Sequence, residues 1–244
     1  MPSIDLNGDL GESFGRWLLA DDPVLLGALT SVNLACGFHA GDPSHIRAAA
    51  HAAAAHQLAI GAHPSFYDLR GFGRTPMALP PDVVRDDVIY QLGALQALCR
   101  AEGATLRHVK PHGALYHTVA GDPDVATAVA EAIAAVDPGL PLVLPFGAST
   151  ASVVEDIGLT VVYEAFLDRG YAPDGRLLPR GRAGAVLDDP AEAAERDVPV
   201  VAGGDGDPGG AARSPRGGRP HAGRPGAARL GGRHRGLRAE HERD

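Results

Sequence analysis

The chain almost lacks lysine. Lys110 is the only one in 244 residues, and every other cation is arginine or histidine. Cysteine is nearly as scarce: Cys36 and Cys99 stand far apart without a partner motif. That excludes a disulfide framework and a zinc-finger spacing. No apolar run is long enough to cross a bilayer, and no basic start leads into an apolar stretch, so neither a membrane span nor a secretory signal is expected. Positive charge is also short. The formal net charge of −8 speaks against a nucleic-acid partner, because phosphate contacts need a basic face. The charge is uneven: residues 1–196 carry 24 acidic and 13 basic side chains, and residues 197–244 carry 6 and 9. The expectation left standing is a soluble cytoplasmic α/β protein.

The scarcity of lysine makes its position informative. Residues 107–116 read as a short strand running into a polar turn, with Lys110 between His108 and His112. A lysine can lose its charge when desolvated, and an arginine cannot. Lys110 and His112 are therefore candidates for chemistry.

The rest of the chain repeats one rhythm. Strands are predicted at 3–7, 31–35, 58–62, 105–109, 140–144 and 159–163. Helices are predicted at 23–29, 43–56, 82–102, 123–136, 149–156 and 190–196, several opening on proline. Alternating strands and helices imply a parallel sheet with crossover helices, whose ligands bind beyond the carboxyl ends of the strands. Most of the predicted strands exit into polar, glycine-bearing loops. The first exit holds Asp9 and Glu12, and Asp5, Asn7 and Asp9 share one strand face. The second holds His39, with Asp42 at the helix entrance. The third holds His63 and Arg74 in a long polar loop, and the fourth Lys110 and His112. A closed barrel gathers all such exits at one mouth, so a TIM-barrel-like fold is expected. His39 and His63 with a carboxylate such as Asp5 or Asp9 make a two-histidine, one-carboxylate set for a divalent metal.

From Gly203 onward the chain has no Val, Ile, Phe, Tyr or Trp. Such a segment cannot bury enough apolar area to offset its ordering entropy. The expected organisation is a barrel domain over 1–200 and a disordered Gly/Arg/Pro/Ala-rich tail over 201–244. The tail's Gly, Ala, Arg and Pro are residues of GC-rich codons, so a shifted reading frame in a GC-rich gene is the expected explanation.

Several ungapped stretches resemble the LamB/YcsF family of bacterial 5-oxoprolinase A subunits. They are residues 5–12 (DLNGDLGE), 33–42 (NLACGFHAGD), 61–65 (GAHPS), 71–74 (GFGR), 108–116 (HVKPHGALY), 164–171 (EAFLDRGY) and 174–180 (DGRLLPR). The resemblance implies a seven-stranded (β/α)7 barrel of the glycoside hydrolase/deacetylase type. It implies hydrolysis of 5-oxoproline to glutamate coupled to ATP, with Mg2+, in a complex with subunits B and C. On that reading Lys110 and Arg74 stabilise a phosphate or oxyanion. Asp9, Glu12 or His112 is the base, and Asn7, Asp42 and Arg180 join Arg74 in binding substrate or phosphate. Two departures stand out. Gly8 replaces the family's usual cysteine, and no Val-His-Gly-Asp motif follows residue 201, so the last strand-helix unit is expected to be missing. The alternatives are a stand-alone metal-dependent amidohydrolase and a non-catalytic scaffold subunit.

Overall fold

The computed structural model describes residues 4–19, 22–172, 175, 177–178, 181–189, 191 and 193. Arg180, the tail over 201–244 and most of the helix expected at 190–196 lie outside them.

The element order is β1 (Asn7–Leu10), α1 (Asp22–Leu26), β2 (Ser31–Ala35), α2 (Pro43–Ala55), β3 (Ala59–His63), α3 (Pro81–Ala101), β4 (Leu106–Val109), α4 (Gly113–Gly121), α5 (Pro123–Val136), β5 (Leu142–Pro145), α6 (Ala151–Asp156) and β6 (Val161–Glu164). All six strands pair in parallel, in chain order. Leu10, Val32, Leu34, Ile60 and Leu142 are buried in one apolar core with Val84, Val88, Leu92 and Leu95 of α3 and Val129 and Ile133 of α5. At about 1.5–3 kcal/mol for each fully buried large aliphatic side chain, this layer is the main source of stability.

The opposite face of the sheet is polar. Across the register, Asp9 lies beside Asn33, Asn33 beside Gly61, and Gly61 beside His108. Glycine is required at 61 because a Cβ there would come within 2.5 Å of three atoms of the His108 ring. With that space free, His108 Nε2–H crosses β3 and donates to Asn33 Oδ1 at 2.7 Å. Asn33 Nδ2 donates to Asp9 Oδ1 at 2.7 Å and also to Asn7. These bonds satisfy polar groups that would otherwise be costly inside the sheet.

The sheet is curled. Lys110 Nζ, just past β4, is 3.5 Å from Asp9 of β1 and 2.9 Å from Glu164 of β6. A flat six-stranded sheet would hold its edge strands about 24 Å apart, so one side chain spans both edges only where the sheet wraps around it. Among the described residues β1 and β6 do not pair with each other. The described sheet is thus an open, curled six-stranded half-barrel, as expected of a seven-stranded barrel whose last strand-helix unit is missing, and side chains link its strands across the mouth.

Candidate functional site

Glu12, His39, His63 and His112 come from the loops and strand ends after β1, β2, β3 and β4. Each offers a ligand atom within 4.8 Å of the others. His39, His63 and His112 are each at most 5 % exposed. His39 Nε2 lies 3.0 Å from Glu12 Oε1, and His63 Nε2 lies 2.9 Å from His112 Nδ1. The rings of His39 and His112 stack at 3.8 Å. Gly73 closes this group from one side. It has φ +65°, and a Cβ there would come within 2.7 Å of His39 Cβ and 2.8 Å of His112 Cδ2, so only glycine lets the loop press against both rings.

A second group adjoins the first. Asp9 stands between them, 3.4 Å from His63 Nε2 and 3.5 Å from Lys110 Nζ. Lys110 also contacts Glu164, approaches Asn7 Oδ1 at 3.4 Å, and lies 5.2 Å above the Phe166 ring. The Tyr116 hydroxyl and Glu164 Oε1 are buried and have no hydrogen-bond partner among the described residues. Asp9, His63, Lys110, His112, Arg74 and Phe166 line one cavity of about 730 Å³.

The electrostatics follow from burial set against these pairings. Burial would raise the Asp9 carboxyl, but His63 and Lys110, with hydrogen bonds from His63 and Asn33, hold it well below the usual carboxylate range. Burial would likewise lower Lys110, but Asp9 and Glu164 outweigh it and raise the ammonium above its ordinary value. Lys110 is thus a held cation. Lys110 lines the cavity, and the expected readiness to lose charge does not apply to it. Burial pushes Glu12 up, and burial with neighbouring His63 and His39 pushes His112 down to about 3.

Not every expected residue joins the site. Asp5 was expected as a metal ligand, but it accepts hydrogen bonds from Thr30 Oγ1 at 2.5 Å and Ser31 Oγ at 2.6 Å, at the amino-terminal end of the sheet. The alternation that grouped it with Asn7 and Asp9 is real, yet each two-residue step along a strand moves about 6.6 Å away from the rim. Asp42 was expected to bind substrate or phosphate. Its carboxylate instead accepts from the Ser44, His45 and Gly15 amides and contacts His45 Nδ1 at 2.6 Å, so it caps α2. Asn7 is engaged with Ser31 and Asn33 inside the sheet and reaches the site only through its 3.4 Å contact with Lys110 Nζ. Arg180 lies outside the described residues. Asn33, Tyr116, Glu164 and Phe166 join the site without having been expected there. The available signal was the exit of β6, where Glu164 and Phe166 stand two apart in the last motifs.

The chain's relatives carry comparable sequences over most of its length. It is similar to the 5-oxoprolinase A subunit of Methylococcus capsulatus, 49% identical over 203 residues, covering 83% of this chain and 78% of that one. It is also similar to the 5-oxoprolinase A subunit of Symbiobacterium thermophilum, 51% identical over 201 residues, covering 82% and 77%. Among solved structures, a lactam utilization protein from Thermus thermophilus matches with a TM-score of 0.77 and 49% identity, covering 80% of this chain and 79% of that one. A family model described as LamB/YcsF matches residues 4–206. That span holds every strand of the half-barrel and every side chain of the cavity, and by it the chain belongs to the LamB/YcsF family.

Proposed function

We infer that this chain is the A subunit of an ATP-dependent 5-oxoprolinase, working in the cytoplasm with subunits B and C to open the lactam of 5-oxoproline to glutamate. The relatives' names support the reaction, and the observation that carries it to this chain is the ringed cation: Lys110, held charged between Asp9 and Glu164 at the wall of the cavity. A five-membered lactam is an unstrained amide. Opening it needs an activated carbonyl, a positioned water and stabilisation of the charge that develops on oxygen. ATP, with Mg2+, would supply the activation by transferring its terminal phosphoryl group to the carbonyl oxygen and leaving as ADP. Water would add at that carbon, and the ring C–N bond would break as the nitrogen takes up a proton. A second water would release phosphate from the acyl phosphate to give glutamate. Lys110 stabilises the negative charge of the transferred phosphoryl group, with Arg74, which lines the same cavity, as the second cation. Asp9 receives the proton of the attacking water, because it is the carboxylate that faces the cavity between Lys110 and His63. No helix of the described residues is long and apolar enough to cross a membrane, and both cysteines are free and buried, which suits a reducing compartment.

The test is glutamate release by the chain reconstituted with B and C. Lys110→Met is expected to lower ATP-dependent release by about 100-fold or more, the scale for loss of one group that stabilises a developing oxyanion. Unchanged release would remove Lys110 from the reaction. Lactam opening by the isolated chain without ATP would overturn the multi-subunit reading in favour of a stand-alone amidohydrolase.

A further inference from the structure

The three buried histidines have their protons assigned from outside. His63 Nδ1 lies 2.6 Å from the Lys110 carbonyl oxygen, which only accepts, so Nδ1 carries the proton. His112 Nε2 lies 2.9 Å from the Phe72 carbonyl oxygen, so Nε2 carries the proton there. Ser65 Oγ gives its single hydrogen to the Phe66 carbonyl at 3.0 Å, so it accepts from His39 Nδ1 at 3.0 Å. Each imidazole thus donates outward with one nitrogen and turns the other inward; in the absence of an ion, His63 Nε2 holds a second proton toward Asp9 at 3.4 Å, which a bound cation would displace.

Those inward nitrogens are crowded. His63 Nε2 faces His112 Nδ1 at 2.9 Å, and His39 Nε2 faces Glu12 Oε1 at 3.0 Å. His112 Nδ1 is 3.7 Å from the same Glu12 oxygen. Lone pairs at such distances repel unless positive charge lies between them. Two separate protons would be needed to relieve the two close pairs, one on His63 shared with Asp9 and one on Glu12. A single multivalent cation relieves both. Separations of 2.9, 3.0 and 3.7 Å among atoms that all lie within 4.8 Å of one another bracket the spacing of about 3.4 Å for four ligands placed tetrahedrally about 2.1 Å from a zinc-sized ion. The outward N–H bonds to backbone carbonyls and a hydroxyl are the contacts that orient metal-bound histidines.

We propose that Glu12, His39, His63 and His112 bind one divalent transition-metal ion of the zinc class. Three imidazole nitrogens and one carboxylate oxygen suit such an ion, whereas Mg2+ and Ca2+ take oxygen ligands. The sequence-based set of Asp5, His39 and His63 is replaced, with Glu12 and His112 taking the place of Asp5. The site borders the cavity assigned above to lactam opening, and its role there rests on that assignment; the binding of the ion does not. When bound, the ion supplies Lewis acidity and a water of lowered pKa.

The test uses the full-length protein alone, so it does not depend on subunits B and C or on activity. After removal of metal with a chelator, Zn2+ is titrated and bound metal is counted per chain. Co2+ is titrated in parallel, and its visible absorption reports coordination. The expected result is one ion per chain, with Co2+ bands of the intensity of a four-coordinate site. Glu12→Gln and His39→Gln are expected to weaken binding at least 100-fold. Ser65→Ala leaves all four ligands in place but frees the outward N–H of His39, and is expected to weaken it about tenfold. Should a ligand variant fail to fold, the wild-type Co2+ spectrum and Ser65→Ala still decide. No binding of Zn2+ or Co2+ at millimolar concentration would mean that protons alone fill the cluster, and the proposal would be wrong. Binding unmoved by the folded variants, or with the weak bands of octahedral Co2+, would equally overturn it as an adventitious ion only.

Discussion

His108 shows how a residue far from any reaction can set the pH range of the fold. Burial, with Lys110 and His63 nearby, brings its imidazole down to about 4, against the opposing pull of Asp5. An unfolded chain leaves histidine near 6.5. Below about pH 6.5 the unfolded chain therefore binds a proton that the folded one refuses, and stability falls as pH drops toward 4. The full loss for this one group is about 3 kcal/mol, with about 2 kcal/mol gone by pH 5. Urea unfolding of wild type and His108→Gln at pH 7.5 and pH 5 checks this. The glutamine can still donate toward Asn33 but cannot titrate, so its acid loss should be smaller by about 2 kcal/mol. Equal losses in the two proteins would mean that His108 is already protonated in the fold. The same residue shows what sequence can and cannot reveal. His108 was visible beside Lys110, but its reach over Gly61 to Asn33 depends on three adjacent strands lying in register.

At the scale of elements, periodicity and proline found most of the architecture. Strand β2 and helix α5 fall where apolar spacing and an opening proline put them. Strand β1 does not: residues 3–7 were expected, and Asn7–Leu10 are observed. Gly8 and Asp9 look like turn chemistry, yet here they form an inward-facing strand whose polar groups are met by β2. Helix α4 was missed altogether, because His112-Gly113 reads as a turn and the apolar residues that follow lie on all sides instead of one stripe. Ala114, Leu115, Tyr116 and Val119 are all buried. Asp42 was read as a ligand for substrate when its position before Pro43 is that of a helix cap. Its carboxylate caps α2 and also holds the Gly15 amide at 2.8 Å, tying down the loop that carries Glu12. These bonds, the one from Gly15 foremost, hold its carboxyl below the usual range. Asp42→Ala is expected to lose about 1–2 kcal/mol, the range for an N-cap deletion. Asp42→Asn should recover most of it, since an amide oxygen also accepts from the helix amides. Thermal unfolding of the two variants checks the order, and equal losses would show that charge, not capping, is what Asp42 contributes.

At the scale of the whole molecule, the half-barrel is tied at its rim by side chains in place of a continuous hydrogen-bonded ring. Lys110 joins β4 to β1 and β6, and its link to β1 joins residues about 100 positions apart that no local pattern announces. Glu12, His39, His63 and His112 join the exits of β1 to β4 in the same way. An ion bound by those four would act as a staple across four consecutive strand exits. It would be held by the folded chain far better than by the unfolded one, so mass action must raise stability. At a free ion concentration one hundred times the dissociation constant the gain is about 2.7 kcal/mol. For a domain of 150–250 residues each kcal/mol moves the midpoint by about 2–4 °C. The chelator-treated protein should therefore gain about 5–10 °C on adding Zn2+, and more as the ion concentration rises. Glu12→Gln should keep its metal-free midpoint, or exceed it where removal of a buried carboxylate relieves crowding, while losing most of the gain. A midpoint that Zn2+ leaves unmoved would show that the four loops are held together by the protein's own bonds, and that the inward nitrogens face one another without an ion to join them.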